Sequence, residues 1–216
     1  MKHLTLVLTD VELSMVQAWQ KFCGDLDFVK IHHGSILSLS VDAVVSPANS
    51  YGFMDGGIDL AYSHFFGWQI QEKLQKIIYH KHHGELLVGN AEIVETENPQ
   101  IPFLIASPTM RVPMQLGNTV NPYLAARAVF LLWKYGIVYQ GVFAESPISE
   151  VVQTIAIPGL GTGVGGVGVN TCAKQVRSAI DDFLLGKYTY PLSWADAQAR
   201  HQKLYRDTVR DLQFEN

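Results

Sequence analysis

Two glycine-containing loops carry the residues that could do chemistry. In the first, an apolar strand pattern within residues 41–50 is followed by Asn49, then by a glycine pair at positions 56 and 57, and then by the acid Asp59. Glycine lets backbone N–H groups approach a ligand closely, and a helix that follows such a loop favours an anion at its N-terminus. The Asn49 amide can both donate to and accept from sugar hydroxyls. The pattern indicates a phosphosugar site.

The second loop, residues 158–168, contains glycine at positions 159, 161, 163, 165, 166 and 168. It follows the apolar run 151–157, which we interpret as a buried strand, and precedes a helical pattern at about 171–185. So many glycines leave backbone amides uncovered, as in an anion-binding nest around a diphosphate. Two loops of this kind, each after a strand and before a helix, predict one cleft at the carboxyl ends of neighbouring strands.

The composition is that of a folded α/β protein. Of 216 residues, 48% are hydrophobic and 17% charged, which excludes a disordered chain. The net charge of −4 does not favour nucleic acid as a partner. Cys23 and Cys172 have no metal or redox spacing. Residues 1–10 lack the features of a signal peptide, and no apolar run approaches the roughly 18 residues of a membrane span. We therefore expect a cytoplasmic protein that does not bind membranes.

Strand and helix patterns alternate along the chain. We predict strands at 4–9, 28–31, 43–46, 89–96, 103–106 and 151–157, and helices at 11–22, 58–66, 68–79, 121–135, 171–185 and about 193–212. Gly67 should separate the second and third helices. Asn121 is predicted to cap the fourth, with Pro122 at its first position and Gly136 at its end. This alternation predicts one domain over residues 1–216 with three layers, α/β/α.

The two loops resemble the signatures of the macro domain family, whose members bind ADP-ribose or its derivatives. Residues 34–36 lead at the family's spacing into Val-Asp-Ala-Val-Val-Ser-Pro-Ala-Asn at 41–49, and Gly-Ile-Asp at 57–59 closes the first signature. Residues 161–167 match the second signature. The resemblance spans most of the chain in element order, and it implies an α/β fold with a central mixed sheet.

Carried over position by position, the resemblance assigns roles within the two loops. Asn49 would orient the distal ribose. Asp59 lies ten residues later, as in family members that hydrolyse ADP-ribosyl bonds, and it would either act as the base or orient the attacking water with help from the ligand's diphosphate. No metal or other cofactor is implied. The ligand-binding residues that it implies are Ser35, Ile36, Ala48, Asn49, Gly56, Gly57, Ile58, Gly161, Thr162, Gly163, Val164, Gly165 and Gly166.

The chain departs from the family pattern at four places. One is Thr109-Met110-Arg111, which follows a strand where many relatives have a Gly-Pro turn. Ser35 stands where relatives usually have the aspartate that binds the adenine amine. Gly165 replaces an aromatic residue that commonly covers the distal ribose. Asp55 stands where many hydrolytic members have a further glycine. These changes indicate a divergent branch of the family.

The sequence leaves several interpretations open for the roles of Asn49 and Asp59 and for the function of the protein. Asn49 is either a ligand contact or a turn residue that satisfies its own backbone. Asp59 is either a catalytic base or an acid that complements a helix dipole. The partner is ADP-ribose or an ADP-ribosylated substrate, and the protein is either a hydrolase or a non-catalytic reader. Candidate hydrolase substrates are a protein ester, O-acyl-ADP-ribose and ADP-ribose 1″-phosphate. A binder of another nucleotide is a third class.

Two other sequence patterns, a dinucleotide fingerprint and a group of histidines, are weaker evidence of function. Residues 161–166 fit the Gly-x-Gly-x-x-Gly dinucleotide fingerprint, but they come too late in the chain for the rest of such a domain. His80, His82 and His83 lie near a predicted helix end, where cations complement the dipole, and we assign no metal to them.

Overall fold

Six short strands form a single sheet in the described part of the chain, and all of them except the edge strand at Val29–His33 are mostly buried. The computed structural model describes residues 4–211; residues 1–3 and 212–216, including Leu212 of the predicted last helix, lie outside that range. The strands are β1 (Thr5–Asp10), β2 (Val29–His33), β3 (Ala43–Ser46), β4 (Glu92–Glu95), β5 (Phe103–Ala106) and β6 (Thr154–Ile157). Their order is β2-β1-β6-β3-β5-β4. All neighbours pair in parallel except β4 with β5, so the predicted mixed sheet is confirmed.

The described residues form seven α-helices, five of which lie between strands and two of which follow the last strand. They are α1 (Leu13–Cys23), α2 (Gly57–Phe66), α3 (Gln69–His82), α4 (Asn121–Tyr135), α5 (Ile148–Val151), α6 (Val169–Ala179) and α7 (Trp194–Lys203). A 3₁₀ turn at Ile36–Ser38 and a π-helical turn at Ile180–Leu184 complete the helical elements. None of the helices in the described part of the chain is both long enough and apolar enough to cross a membrane.

The two faces of the sheet bury separate hydrophobic clusters. Successive strand residues point to opposite faces, so Val44 and Val45 contribute to different clusters, as do Leu104 and Ile105. One cluster holds the buried residues of α1, α4 and α6, and the other holds those of α2 and α3. Helices therefore cover both faces, and the predicted three-layer α/β/α architecture is confirmed.

Two of the predicted boundaries are wrong. The run 151–157 is not one strand, because the chain forms a helical turn at Ile148–Val151 and β6 begins only at Thr154. Asn121 is not the cap of α4: Val120 takes that position, and the Asn121 side chain donates to the Thr109 carbonyl at 2.7 Å. Both errors arise where contacts with distant residues determine the backbone conformation.

Two further elements are shorter than predicted, whereas other boundaries agree. β4 spans Glu92–Glu95 and not the predicted 89–96. Gly67, at φ 89°, separates α2 from α3 as predicted. Ser193 caps α7 by accepting a hydrogen bond from the Asp196 N–H at 3.1 Å. This helix ends at Lys203, so it is shorter than the predicted 193–212.

Asp42 joins the start of β3 to the start of β6. One of its carboxylate oxygens accepts from Gln153 N and Thr154 N at 2.8 Å and from Thr154 Oγ1 at 2.9 Å. The same threonine oxygen accepts from Asp42 N at 2.8 Å. These four hydrogen bonds link residues more than 110 positions apart, and they set the level at which the two strands begin.

We predict that Asp42→Ala lowers the free energy of unfolding by about 2 kcal/mol, because it leaves two backbone N–H groups without their charged acceptor. Urea denaturation followed by circular dichroism measures the change. Asp27→Ala, at an exposed position, is the control and should change stability by less than about 0.5 kcal/mol. Equal effects of the two substitutions would show that the Asp42 hydrogen bonds add nothing to stability.

Candidate functional site

The loops that follow five parallel strands line one cavity. Strands β2, β1, β6, β3 and β5 are neighbours in the sheet in this order, so their carboxyl ends lie along the same edge. The cavity at this edge has a volume of about 520 Å³. Twelve of the thirteen predicted ligand-binding residues line it, as does Asp59; the twelve are Ser35, Ile36, Ala48, Asn49, Gly56, Gly57, Ile58, Gly161, Thr162, Gly163, Val164 and Gly165. The two loops therefore form one cleft.

Gly166 is the predicted residue that the structure does not bring to the cavity wall. Its backbone has φ 65°, and a side chain at this position would meet the Gln115 amide. Gly166 N donates to the Gly163 carbonyl at 3.0 Å, so this residue closes the turn behind the cavity. Position 166 requires glycine because of its backbone conformation.

The Asn49 side chain organises its own loop. Its Oδ1 accepts from Tyr51 N at 3.1 Å and from Phe53 N at 3.3 Å, and its Nδ2 donates to the Phe53 carbonyl at 2.8 Å. Asn49 thus has the turn function that the sequence left open, while it also lines the cavity. An amide nitrogen has two N–H groups. One of those on Asn49 is used within the loop, in the hydrogen bond to the Phe53 carbonyl.

Glycines expose the N-terminus of α2 to the cavity. Gly56 precedes the helix in an extended conformation, and Gly57 begins it at φ 54°, a value that side chains rarely tolerate. A side chain built at either position would find no atom within 4 Å. The first N–H groups of a ten-residue helix therefore border open space, and the helix dipole favours an anion there.

Asp59 lies in the first turn of α2 and is buried, with 7% of its surface exposed. The Ser46 hydroxyl, at the end of β3, donates to Asp59 Oδ1 at 2.5 Å. Burial raises the pKa of Asp59 from 3.8 to about 6, and the Ser46 hydrogen bond opposes part of that rise. Asp59 is therefore not an exposed acid that only complements the helix dipole. It is a carboxylate on the cavity wall that titrates close to neutral pH.

The second glycine loop is supported from behind by the segment that follows β5. Leu116 N donates to the Gly165 carbonyl at 2.8 Å, and the Gln115 amide donates to the Val164 carbonyl at 2.8 Å. A side chain at Gly165 would approach the Gly161 carbonyl to 2.5 Å and the Leu116 side chain to 2.8 Å. The departure at Gly165 thus has a packing cause, because Leu116 occupies the space that a larger residue would need.

Sequence reasoning missed part of the cavity wall. The additional lining residues include Asp10 at the end of β1, Val11 after it, Phe53 in the first loop, and Met110 and Pro113 after β5. Asp10 had a usable signal, since a polar residue directly follows the predicted apolar strand 4–9. Met110 and Pro113 could not be predicted as lining residues without the order of strands in the sheet, which places β5 beside β3.

His82, at the end of α3, and Arg111, after β5, each pair with a carboxylate. His82 Nε2 lies 2.8 Å from the Glu92 carboxylate, which Lys81 also contacts at 2.6 Å. Arg111 pairs with both carboxylate oxygens of Glu85, at 2.6 and 3.2 Å. None of these residues lines the cavity. Among residues 4–211, no three His, Cys, Asp or Glu side chains are grouped as a metal site.

The raised pKa of Asp59 predicts a pH-dependent stability. Between pH 3.8 and about 6 the folded protein binds more protons at this carboxyl than the unfolded chain does, so stability falls as pH rises through that window. Asp59→Asn keeps an acceptor for Ser46 and removes the buried charge. At pH 7.5 it should raise the free energy of unfolding by up to about 3 kcal/mol and abolish this dependence.

Urea denaturation at pH 4, 5, 6 and 7.5 measures both effects. The exposed Asp55→Asn is the matched control, and it should leave the slope between pH 4 and 6 unchanged. An Asp59→Asn variant with the slope of the unsubstituted protein would contradict the assignment of that slope to Asp59.

Comparison with known proteins finds relatives that align with most of this chain. A protein from Aquifex aeolicus is 29% identical over 156 residues, covering 72% of this chain and 82% of that protein. The human protein mono-ADP-ribosyltransferase PARP14 is 29% identical over 152 residues, covering 70% of this chain but 8% of PARP14. Each alignment covers at least 70% of this chain.

Solved structures with the same fold are macrodomains. A macrodomain variant from Oceanobacillus iheyensis, determined with ADPR, has a TM-score of 0.56 at 20% identity and covers 70% of this chain and 75% of its own. The macrodomain of Mycobacterium tuberculosis DarG has a TM-score of 0.55 at 20% identity, covering 70% and 88%. The Macro domain family model matches residues 45–176, which include both glycine loops and more than half of the chain. This chain belongs to the macro domain family.

Proposed function

We propose that the protein binds ADP-ribose, or an ADP-ribosyl group attached to another molecule, in the cavity at the carboxyl edge of the sheet. The observation that carries the proposal is that two uncovered glycine segments, Gly56–Gly57 and residues 162–164, face the same cavity. The solved Oceanobacillus iheyensis relative with ADPR supports this ligand class. A volume of about 520 Å³ is within the range of small-molecule sites.

The diphosphate would be held by backbone groups. No Lys, Arg or His is among the residues that line the cavity within the described range 4–211, whereas Asp10, Asp55 and Asp59 are. A negative ligand can bind there only if N–H dipoles supply the attraction. The N-terminus of α2 and the amides of residues 162–164 are the groups suited to this role.

The ribose distal to adenine would lie by Asn49 and Asp59. The second N–H of the Asn49 amide suits a ribose hydroxyl, because the first one already holds Phe53. Asp59, in the first turn of α2, is the buried carboxylate on this side of the cavity, and its Oδ1 is fixed by Ser46. A carboxylate held in one orientation can position a water molecule.

We further propose that this arrangement hydrolyses the bond at the distal ribose. The oxygen of a water molecule forms a bond with the anomeric carbon C1″, and Asp59 takes the water proton. The bond from C1″ to the leaving oxygen breaks, and its electron pair leaves with the carboxylate or phosphate. A pKa of about 6 suits this role, since Asp59 is mostly ionised at pH 7.5 and still basic enough to accept a proton.

A non-catalytic reader is the alternative, and one observation favours it. The Asn49 amide is largely engaged within its own loop, where it accepts two hydrogen bonds and donates one. An amide in that role shapes the binding loop without acting on the substrate. Binding and turnover measurements separate the two functions.

Binding is tested with variants that fill the cleft without straining the backbone. Gly163 lines the cavity, and a side chain at this position would find no atom within 4 Å. Gly163→Val should fold normally and weaken ADP-ribose binding at least roughly tenfold, because the added methyl groups block close approach to the amides. Isothermal titration calorimetry with ADP-ribose, and with ADP and NAD as comparison ligands, measures the change.

Gly168→Val is the matched control for this test. Gly168 lies in the same loop but does not line the cavity, and its added Cβ would meet only Thr171 Oγ1 at 3.9 Å. This variant should bind ADP-ribose as the unsubstituted protein does. The binding proposal fails if the unsubstituted protein gives no heat with ADP-ribose, or if ADP and NAD bind equally well.

Turnover is tested by the release of ADP-ribose from an ester-linked ADP-ribosylated protein, from O-acetyl-ADP-ribose and from ADP-ribose 1″-phosphate. Asp59→Asn should lower kcat at least roughly 100-fold while the Kd for ADP-ribose changes little, because a general base acts on the chemical step. The rate of the unsubstituted protein should rise with pH up to about 6 and then level off, since Asp59 must lose its proton to act.

Asp27→Asn, which removes an exposed carboxylate outside the cavity, is the control and should keep full activity. Saturable ADP-ribose binding without product from any of the three substrates would support the reader. Full turnover by Asp59→Asn would exclude Asp59 as the base.

A further inference from the structure

The order of the strands gives the cleft two distinct ends. The glycine loop after β6 lies between the loop after β1 and the loop after β3, because β6 is the strand between them. Adjacent strands are about 4.8 Å apart, so the ends of β1 and β3 are separated by about 10 Å. A ligand whose diphosphate lies between Gly57 and Gly163 therefore extends one arm toward β1 and the other toward β3 and β5.

The two ends offer different chemistry. The end at β3 has the Asn49 amide and the Asp59 carboxylate, which suit a sugar with several hydroxyls. The end at β1 has one carboxylate, Asp10, and the apolar side chain of Val11, and the segment after the adjacent strand β2 adds those of Ile36 and Leu37. A purine base has apolar faces and a polar edge, so the β1 end is the one that suits a base.

The Asp10 carboxylate is fixed in place at this end. Its Oδ1 accepts from Glu12 N at 2.9 Å, and its Oδ2 accepts from Gly159 N at 3.3 Å. Its carbonyl oxygen accepts from Gly34 N at 2.9 Å. Each carboxylate oxygen can accept a second hydrogen bond. Asp10 therefore presents acceptors, and no donor, to the ligand.

Ser35, the neighbouring polar side chain on the wall, is engaged locally. Its Oγ accepts from Leu37 N at 3.2 Å, so it caps the turn at Ile36–Ser38. Asp10 is thus the group on this part of the wall with charged acceptor capacity. An ionised acceptor discriminates strongly between a ligand edge that donates and one that does not.

We infer that Asp10 is a specificity-determining residue, whose carboxylate accepts a hydrogen bond from the exocyclic amino group of the ligand's base. It makes the site select adenine over hypoxanthine, in which a carbonyl oxygen replaces that amine. The inference rests on the proposed binding of ADP-ribose, and it adds the residue that reads the base.

The test compares ADP-ribose with inosine diphosphate ribose, which differs from it at the base edge. Calorimetric titration should give at least roughly tenfold tighter binding of ADP-ribose to the unsubstituted protein. Asp10→Asn should bring the ratio of the two Kd values to within about threefold, because an amide can donate to the hypoxanthine carbonyl. The experiment compares the ratio of the two Kd values and not each Kd alone. Loss of one negative charge changes the affinity for both anionic ligands, so a single Kd would not report on recognition of the base.

Asp55→Asn is the control, since it removes the same charge from the same cavity and should leave the ratio unchanged. Melting temperatures of all variants report on folding. An Asp10→Asn variant that weakens both ligands equally and keeps their ratio would show that Asp10 only holds the Gly159 turn, which overturns the inference. Failure of the unsubstituted protein to bind either ligand would overturn the proposed function and this inference with it.

Discussion

The hydrogen bonds between Asp42 and the start of β6 determine where both glycine loops leave the sheet. Asp42 directly precedes β3, and its partners directly precede or begin β6. Both strands have four residues and pair in parallel, with Ala43 opposite Ile155. Their carboxyl ends therefore lie at nearly the same level. Without this alignment, the N-terminus of α2 and the amides of residues 162–164 would not border one cavity.

The cleft contains a buried carboxylate and left-handed glycines, and both features lower the stability of the folded protein. A buried carboxylate with a raised pKa, as at Asp59, lowers stability at neutral pH and is retained only if something offsets it. Gly57 and Gly161 adopt left-handed backbone conformations, which lets the chain turn closely past the ligand space. The cores on the two faces of the sheet supply the stability that permits both features. Such local departures from optimal stability are typical of functional sites.

Sequence patterns predicted the elements that local chemistry controls. The strand Ala43–Ser46, the break at Gly67 and the Ser193 cap follow from apolar runs, glycine and capping chemistry. Contacts between segments that are distant in sequence could not be predicted from those patterns. The turn at Ile148–Val151, the Ser46–Asp59 hydrogen bond and the support of Gly165 by Leu116 each depend on residues that only the fold brings together. The sequence thus identified the loops of the site, whereas the order of the strands revealed its two ends.

The charge on the cavity wall also affects how a ligand arrives. Three aspartates and, within residues 4–211, no basic side chain line a cleft in a protein of net charge −4. Long-range forces would then repel a diphosphate, while the backbone dipoles attract it only over a few ångströms. Association would be slower than for a basic cleft and would speed up with ionic strength, as salt screens the repulsion. Selection in this cleft would then occur at contact distance, where the shape and hydrogen-bonding pattern of the ligand decide which molecules stay.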